Sequence, residues 1–369
     1  MKSRIEATYR VRGTAETIAA RAEAIAVEQS VEMPVGIITD RHVRDEIIGR
    51  VEAITEAGEG TFDVRISLSA ETVGEDPGQL LNMLFGNTSL HEDVTLYDLE
   101  LPEALARLFG GPRHGIKGLR ARVGADMRAL TCSALKPQGL ASDELAALAY
   151  RLALGELDYI KDDHGLADQA KSPFAERVRA CGEAVKRAAD ETGHPTRYVP
   201  SFNGHLDMMR RQAEQSLAAG CDTIMIAPML AGLSNCLLLA REFPELAMLA
   251  HPTMAGAARI SPVALLGKLF RLNGSDGVIF PNHGGRFGYS PEMCRRLASS
   301  ALAPWHGLQG AIPVPAGGMT LDRVPEMLSF YGPDVMLLIG GGLLSAGERL
   351  TEETAAFAQA VREYSHDRA

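Results

Sequence analysis

The chain has 369 residues, a formal net charge of −10 and 46% hydrophobic residues. That length leaves room for two domains and a large core, and the acidic balance argues against a nucleic acid or an anionic membrane as partner. No transmembrane run or signal peptide is visible, and the five cysteines lack metal-motif spacing, which reads as reduced thiols in a cytoplasmic protein.

The first hundred or so residues alternate apolar with polar. Ile5–Val11 and Thr61–Leu68 have the period of half-exposed antiparallel strands. Helical sequence lies between and after them, at Thr14–Glu28 and Asp76–Phe85. These features predict a smaller α+β (ferredoxin-like) domain over residues 1–108, ended by the glycine and proline punctuation between Leu101 and Gly115.

From residue 109 to 369 the pattern changes to short, continuous apolar runs, each followed by helix-like sequence. Leu130–Leu135, Leu157–Ile160, Thr196–Val199, Thr223–Ala227, Ala247–Ala250, Gly277–Phe280, Ile312–Val314 and Val335–Ile339 make eight such runs. Continuous apolar strands are covered on both faces, as in parallel sheets. The intervening stretches Ser142–Leu152, Phe174–Thr192 and Met208–Ala219 repeat their apolar positions at helical spacing. Eight β-α units in succession predict a (β/α)8 TIM barrel, whose active site belongs at the C-terminal ends of the strands.

Chemistry-bearing residues gather at those ends. Lys136 follows the first run, and Lys161-Asp162-Asp163-His164 closes the second. Unpaired buried charges are costly, so this cluster needs a bound cation or a dense ion-pair network. His251 ends the fifth run, Asn282, His283 and Arg286 follow the sixth, and the glycine pairs Gly317-Gly318 and Gly340-Gly341 follow the seventh and eighth. Glycines there let backbone amides approach an anion closely.

In order along the chain, these motifs resemble those of the RuBisCO large-chain superfamily. Gly111-Pro112-Arg113-His114-Gly115-Ile116 resembles its entry to the barrel, Leu135-Lys136-Pro137 its first-strand lysine motif, and Gly155 to Asp163 its Gly-Gly-x-Asp-Phe-x-Lys-Asp-Asp. Ala316-Gly317-Gly318 and Gly340-Gly341-Gly342 resemble its two phosphate grips. The resemblance implies that carbon dioxide carbamylates Lys161, which with Asp163 and His164 binds Mg²⁺, or Mn²⁺ given the imidazole. It also implies catalytic roles for Lys136, Lys161, His251 and His283, and binding of a phosphorylated sugar at Gly317, Gly318, Gly340, Gly341, Asn282 and Arg286. Glu28 and Asn87 match positions that reach into a neighbour's barrel, which implies a homodimer with composite active sites.

Several family positions differ. The third metal ligand is glutamate in the family and His164 here; the second lysine of Lys-Pro-Lys is Gln138; the arginine after the fifth-strand histidine is Pro252; and the serine of Ser-Gly-Gly is Ala316. The sixth loop, Gly284 to Tyr289, carries no lysine. The pattern is that of a RuBisCO-like protein which enolises a sugar phosphate without fixing carbon dioxide. An isomerase of 5-methylthioribulose 1-phosphate in methionine salvage is the expected activity. A diketo-methylthiopentyl-phosphate enolase, a decarboxylase of a branched sugar-acid phosphate and a non-catalytic sugar-phosphate binder are the alternatives.

Overall fold

A computed structural model describes residues 4–366. Its N-terminal part is a four-stranded antiparallel sheet of β1 (Arg4–Arg12), β2 (Arg50–Gly58), β3 (Thr61–Ser69) and β4 (Val94–Glu100), in the order β2-β3-β1-β4. Helices Ile18–Glu28 and Pro77–Phe85 connect the pairs, which gives the β-α-β-β-α-β path of a ferredoxin-like domain. Alternation sends Ile5, Ala7, Tyr9 and Val11 of β1, with Val64, Ile66 and Leu68 of β3, into one buried face. Asp76 caps the second helix by accepting from the Gln79 amide at 2.8 Å.

Barrel strands follow: β5 (Leu130–Leu135), β6 (Tyr159–Asp162), β7 (Arg197–Val199), β8 (Ser201–Phe202), β9 (Thr223–Ile226), β10 (Ala247–Ala250), β11 (Gly277–Pro281), β12 (Ile312–Ala316) and β13 (Met336–Leu338). All pair in parallel, in the order β7-β6-β5-β13-β12-β11-β10-β9-β8. Only Pro200 separates β7 from β8, and a proline has no N–H for the ladder. The segment pairs with β6 before the proline and with β9 after it. One interrupted strand thus joins both ends of the sheet, and nine ladder segments make an eight-stranded closed barrel.

Leu130, Cys132, Tyr159, Val199, Met225, Leu249, Ile279, Val314 and Met336 fill the barrel interior. Leu119 and Val123, from and just after helix Gly115–Arg122, join the same cluster and plug the barrel at the N-terminal ends of the strands. Asp276 fastens that plug: its carboxylate accepts from the amides of His114 and Gly115, each at 2.7 Å, and from Met248 at 2.9 Å. Asp158 performs a similar task beneath β5 and β6, receiving Arg128 at 2.6 and 2.7 Å and the Thr131 amide at 2.8 Å.

Helix Phe174–Thr192 forms over the predicted residues, because Pro173 precedes it and Gly193, with φ of 77°, terminates it. The helix expected from Ser142 runs to Leu154, and Glu144 accepts from the Ala141 amide at 2.7 Å, one residue before the expected start. Strands β2 and β4 are additions to the elements that the sequence pattern predicts. Among the described residues no helix is long and apolar enough to cross a membrane.

Candidate active site at the barrel mouth

Period-two alternation along β6 decides what reaches the mouth. Tyr159 points into the barrel and donates to the Leu119 carbonyl at 2.7 Å. Two residues on, Lys161 lies on the same inner face, 4% exposed. Between and beyond them, Asp162 faces the helices. There it receives Tyr198 Oη at 2.7 Å, the Ser201 amide at 3.0 Å and Arg177 Nε at 3.1 Å, in surroundings with Asp162 and Arg177 fully buried. This network anchors the strand end and the start of the following loop to helix Phe174–Thr192 and to the interrupted strand.

Lys161 Nζ donates to the Asp162 carbonyl at 2.9 Å. Burial is the main cause that lowers its pKa; Lys136 adds to the fall, while Asp163 and Asp162 oppose it. A lowered pKa enlarges the share of free amine, the form that adds to carbon dioxide. Lys136, at the end of β5, donates to Asp163 Oδ2 at 2.6 Å, and His164 Nδ1 meets Asp163 Oδ1 at 2.7 Å. Burial works against ionisation of Asp163, yet the His164 and Lys136 bonds hold its carboxyl far below the usual range.

The His164 ring stacks on His251 with centroids 4.7 Å apart and planes 5° apart. The contact spans from β6 to β10, three strands round the rim, so it bridges the mouth above Lys161. His251 is fixed from its other side by Thr253, whose Oγ1 lies 2.6 Å from Nδ1. Burial, joined by Lys161 and His164, pushes the His251 imidazole down to about 2, so it is neutral in this arrangement. Gln138 lies over Gly165, where a Cβ would come within 1.8 Å of its Nε2.

The glycine loops occupy the rim two and three strands from β6. Gly317 and Gly318 have φ of 82° and 66°. Gly318 packs against the sixth loop so closely that a Cβ would lie 2.6 Å from Gly285 Cα. Gly317, Gly340 and Gly341 face open space, with nothing within 4 Å of where a Cβ would stand. Gly341 opens the short helix Gly341–Leu344, whose first amides lack intrahelical acceptors. Arg323 clips the two loops together, donating to the Gly318 carbonyl at 2.8 Å and the His283 carbonyl at 3.5 Å.

Other expected site residues lie apart from this cluster. Asn282 is fully buried with its amide on the sulfurs of Met319 and Met327, both at 3.1 Å, and its oxygen receiving Tyr331 at 2.7 Å. His283, 8% exposed, packs on Phe330 at 4.6 Å and on Tyr331 at 6.5 Å. Its Nε2 is buried without a partner, and burial lowers its pKa. Both side chains are directed at helix Val324–Tyr331. Arg286 is exposed and stacks on the Phe287 ring at 4.8 Å. In the N-terminal domain Asn87 donates to Glu28 at 3.0 Å and to Glu32 at 2.5 Å, on the surface. Thr253 and Arg323 carry no signal in the sequence, since each meets its partner only through loop geometry.

Residues 115–289 match the family model of the ribulose bisphosphate carboxylase large chain, catalytic domain. Over 362 residues, 98% of this chain and 97% of the relative, the sequence is 60% identical to the 5-methylthioribulose-1-phosphate isomerase of Rhodospirillum rubrum. The chain belongs to the RuBisCO large-chain family. Its likeness to the crystal structure of a Rubisco-like protein from Rhodopseudomonas palustris covers 99% of both chains, at 50% identity and a TM-score of 0.93. A more distant relative, 32% identical over 80% of this chain and 76% of its own length, is the 2,3-diketo-5-methylthiopentyl-1-phosphate enolase of Geobacillus kaustophilus. The chain is therefore a RuBisCO-like protein with isomerase and enolase relatives.

Among the described residues no group of three His, Cys, Asp or Glu side chains is placed to hold a metal ion. A cation site needs a further oxygen donor, and carbamylation of Lys161 would supply one beside Asp163. The donors suit that reading: the Lys161 amine is buried with a lowered pKa, and Asp163 already takes the ammonium of Lys136 on one oxygen.

Proposed function

We propose that this protein is a sugar-phosphate isomerase that acts on 5-methylthioribulose 1-phosphate by moving a carbon-bound proton, without carboxylase activity. The observation that carries the reading is the buried Lys161 amine beside the Asp163–Lys136 pair, at the mouth of a barrel whose rim also bears two open glycine loops. Identity of 60% to a protein named for that isomerase supports the choice of substrate.

Carbamylated Lys161 and Asp163 would hold Mg²⁺ or Mn²⁺, and a cation there would stabilise negative charge on adjoining carbonyl and hydroxyl oxygens. Lys136 is the acid-base group. Its side chain is 38% exposed, so Nζ can leave Asp163 for substrate, where the ammonium gives up a proton and the amine so formed takes one back from carbon, which returns the group to its starting state. His251, neutral and half-buried, is the second group at the mouth and faces the substrate from the far side as a neutral hydrogen-bonding imidazole. Amides at Gly317, Gly318 and Gly341 take the phosphate, since no side chain fills the approach at Gly317 or Gly341. Stacking of His164 and His251 leaves a flat wall for the remaining part of the substrate.

We further infer a homodimer in which Glu28 and Asn87 approach the partner's mouth. Exposed Met33, Val35 and Ile37 flank the Glu28–Asn87–Glu32 cluster and supply apolar surface for such a contact. Five buried, unpaired cysteines suit a cytoplasmic setting.

The test is incubation with 5-methylthioribulose 1-phosphate, Mg²⁺ and bicarbonate in D₂O, followed by NMR. Deuterium in an isomeric product is expected. Absence of both exchange and isomerisation refutes the assignment. The enolase reading, favoured by the Geobacillus kaustophilus relative, predicts turnover of the diketo phosphate instead. Labelled bicarbonate is expected to stay out of any product formed from ribulose 1,5-bisphosphate, because the sixth-loop cation, Arg286, is exposed and spent on Phe287.

A further inference from the structure

Arg323 lies just before helix Val324–Tyr331 and reaches back to the glycine loops. Its Nε and Nη2 meet Glu326 Oε2 at 3.0 Å and Oε1 at 3.1 Å, a paired contact that fixes the plane of the guanidinium. Nη1 is then turned to the loops, where it donates to the Gly318 carbonyl at 2.8 Å and to the His283 carbonyl at 3.5 Å. We propose that Arg323 is a positioning residue for the substrate phosphate: it holds the Gly318–Met319 peptide by its carbonyl, so that the opposite edge of that peptide, the Met319 N–H, is presented to the anion. This rests on the reading of the glycine loops as the phosphate site given above.

A trans peptide carries its carbonyl and its N–H on opposite sides. Arg323 belongs to the outer layer of helices, so a Gly318 carbonyl drawn to the guanidinium turns the Met319 amide away from that layer. Neither the Gly318 nor the Met319 amide donates to another backbone group among the described residues. Such donors suit a ligand that supplies the missing acceptor. A cation on the carbonyl also polarises the peptide, which strengthens its N–H as a donor.

The neighbours hold the ends of this peptide but leave its plane to Arg323. Gly318, with φ of 66°, packs on Gly285. Met319 is buried, and its sulfur receives the Asn282 amide at 3.1 Å. Its carbonyl lies 3.2 Å from where a Cβ on Gly342 would stand, so the segment is wedged between the sixth and eighth loops. Glycine at 318 lets the peptide plane turn over at little cost. The Arg323 bond opposes that turn.

Inorganic phosphate is the probe, its dissociation constant measured by calorimetry, with KM and kcat taken on 5-methylthioribulose 1-phosphate. Arg323→Met should weaken phosphate about 10-fold, as expected for one charge-assisted hydrogen bond, and raise KM by a similar factor. Its kcat should stay within about twofold of the parent, because the residue acts on binding and not on the reacting carbons. Glu326→Ala keeps the Arg323 charge and removes a negative one, but frees the guanidinium plane, so it too should weaken phosphate. Phosphate affinity and KM unchanged in Arg323→Met overturn the inference, as does a fall in kcat alone. Tighter phosphate binding by Glu326→Ala shows that Arg323 acts only through its charge and overturns the positioning role. In each of those cases the phosphate site itself stands if Gly341→Val still weakens phosphate. A parent protein that binds no phosphate, or binds it as tightly after Gly341→Val, removes the glycine-loop reading and this inference together.

Discussion

Replacing Arg177 by Met tests whether the anchor behind the active-site strand is as important as its burial implies. Arg177 is fully buried, and its guanidinium donates to Asp162 Oδ2 at 3.1 Å, to the Ala167 carbonyl at 2.9 Å and to the Ser172 carbonyl at 2.8 Å. Methionine keeps the apolar stem and removes the charge. Asp162, also fully buried, then retains only Tyr198 and the Ser201 amide. Removing one partner of a buried pair costs about 3–5 kcal/mol. Protonation of Asp162 limits that loss, because burial already holds its pKa above the usual carboxylate range, so the lower end, about 3 kcal/mol, is expected at neutral pH.

A carboxyl whose folded pKa is raised has its proton in both states at low pH. As pH climbs past the ordinary carboxylate value, the unfolded chain releases that proton first, and the folded state loses stability. The deficit of Arg177→Met should therefore be larger at about pH 8 than at about pH 5. Urea unfolding monitored by far-UV circular dichroism measures both. Adding Asp162→Asn removes the stranded charge and should recover at least about 1 kcal/mol. A loss under about 1 kcal/mol for the single variant, or a double variant no more stable than it, would refute the reasoning.

Three further perturbations separate local roles. Gly341→Val adds a side chain into open space, so it should leave Tm unchanged and raise KM for the phosphorylated substrate at least about 10-fold; an unchanged KM places the phosphate elsewhere. Gly318→Ala meets Gly285 Cα at 2.6 Å and forces a side chain onto φ of 66°, so it should lower Tm as well as raise KM, and wild-type Tm would show that the two loops are free to part. Asp158 is held below the ordinary carboxylate range despite burial, by Arg128, His194 and the Thr131 amide. Its contribution is present above that range and is lost as pH falls through the folded value. Asp158→Asn should cost about 2 kcal/mol at neutral pH and progressively less in acid, a convergence that unfolding curves across pH would reveal or exclude.

Where the sequence is informative, a single physical constraint dominates. A strand covered on both faces has to be apolar throughout, and that makes the barrel strands visible. Phe174–Thr192 is readable to the residue because a proline and a left-handed glycine bound it. β2 is hidden because it lies on the edge of the sheet, pairs only with β3 and is mostly exposed, so Arg50, Glu52, Thr55 and Glu56 mask its period. Lys161 is legible because it lies within β6, whose alternation fixes its direction, and Lys136 and Asp163, one residue past their strands, are drawn together by their own ion pair. Asn282 and His283 show the limit of that argument: a residue past a strand end is no longer bound by the pleat, and both turn toward helix Val324–Tyr331. The His164–His251 stack is not legible, since nothing in the chain says that rings carried just past the ends of β6 and β10 meet with centroids 4.7 Å apart.

The division of labour along β6 bears on how this fold changes its chemistry. Tyr159 and Lys161 face the barrel axis, while Asp162 faces the helices, so the reactive amine and the anchoring carboxylate are one residue apart and on opposite sides. Slipping the strand by a single position would bury the amine among helices and expose the anchor to the mouth. The strand is thus constrained at every position, whereas the rim is not. Pro252, Ala316 and Arg286, which depart from the family pattern, all sit in loops or at a strand's last residue, and of the three only Ala316 packs against the barrel interior. Holding a second phosphate or an incoming carbon dioxide depends on those rim positions; proton removal beside the buried lysine depends on the strand. Under the proposed function, loss of the former with retention of the latter is the outcome that the mechanics of the barrel make easiest.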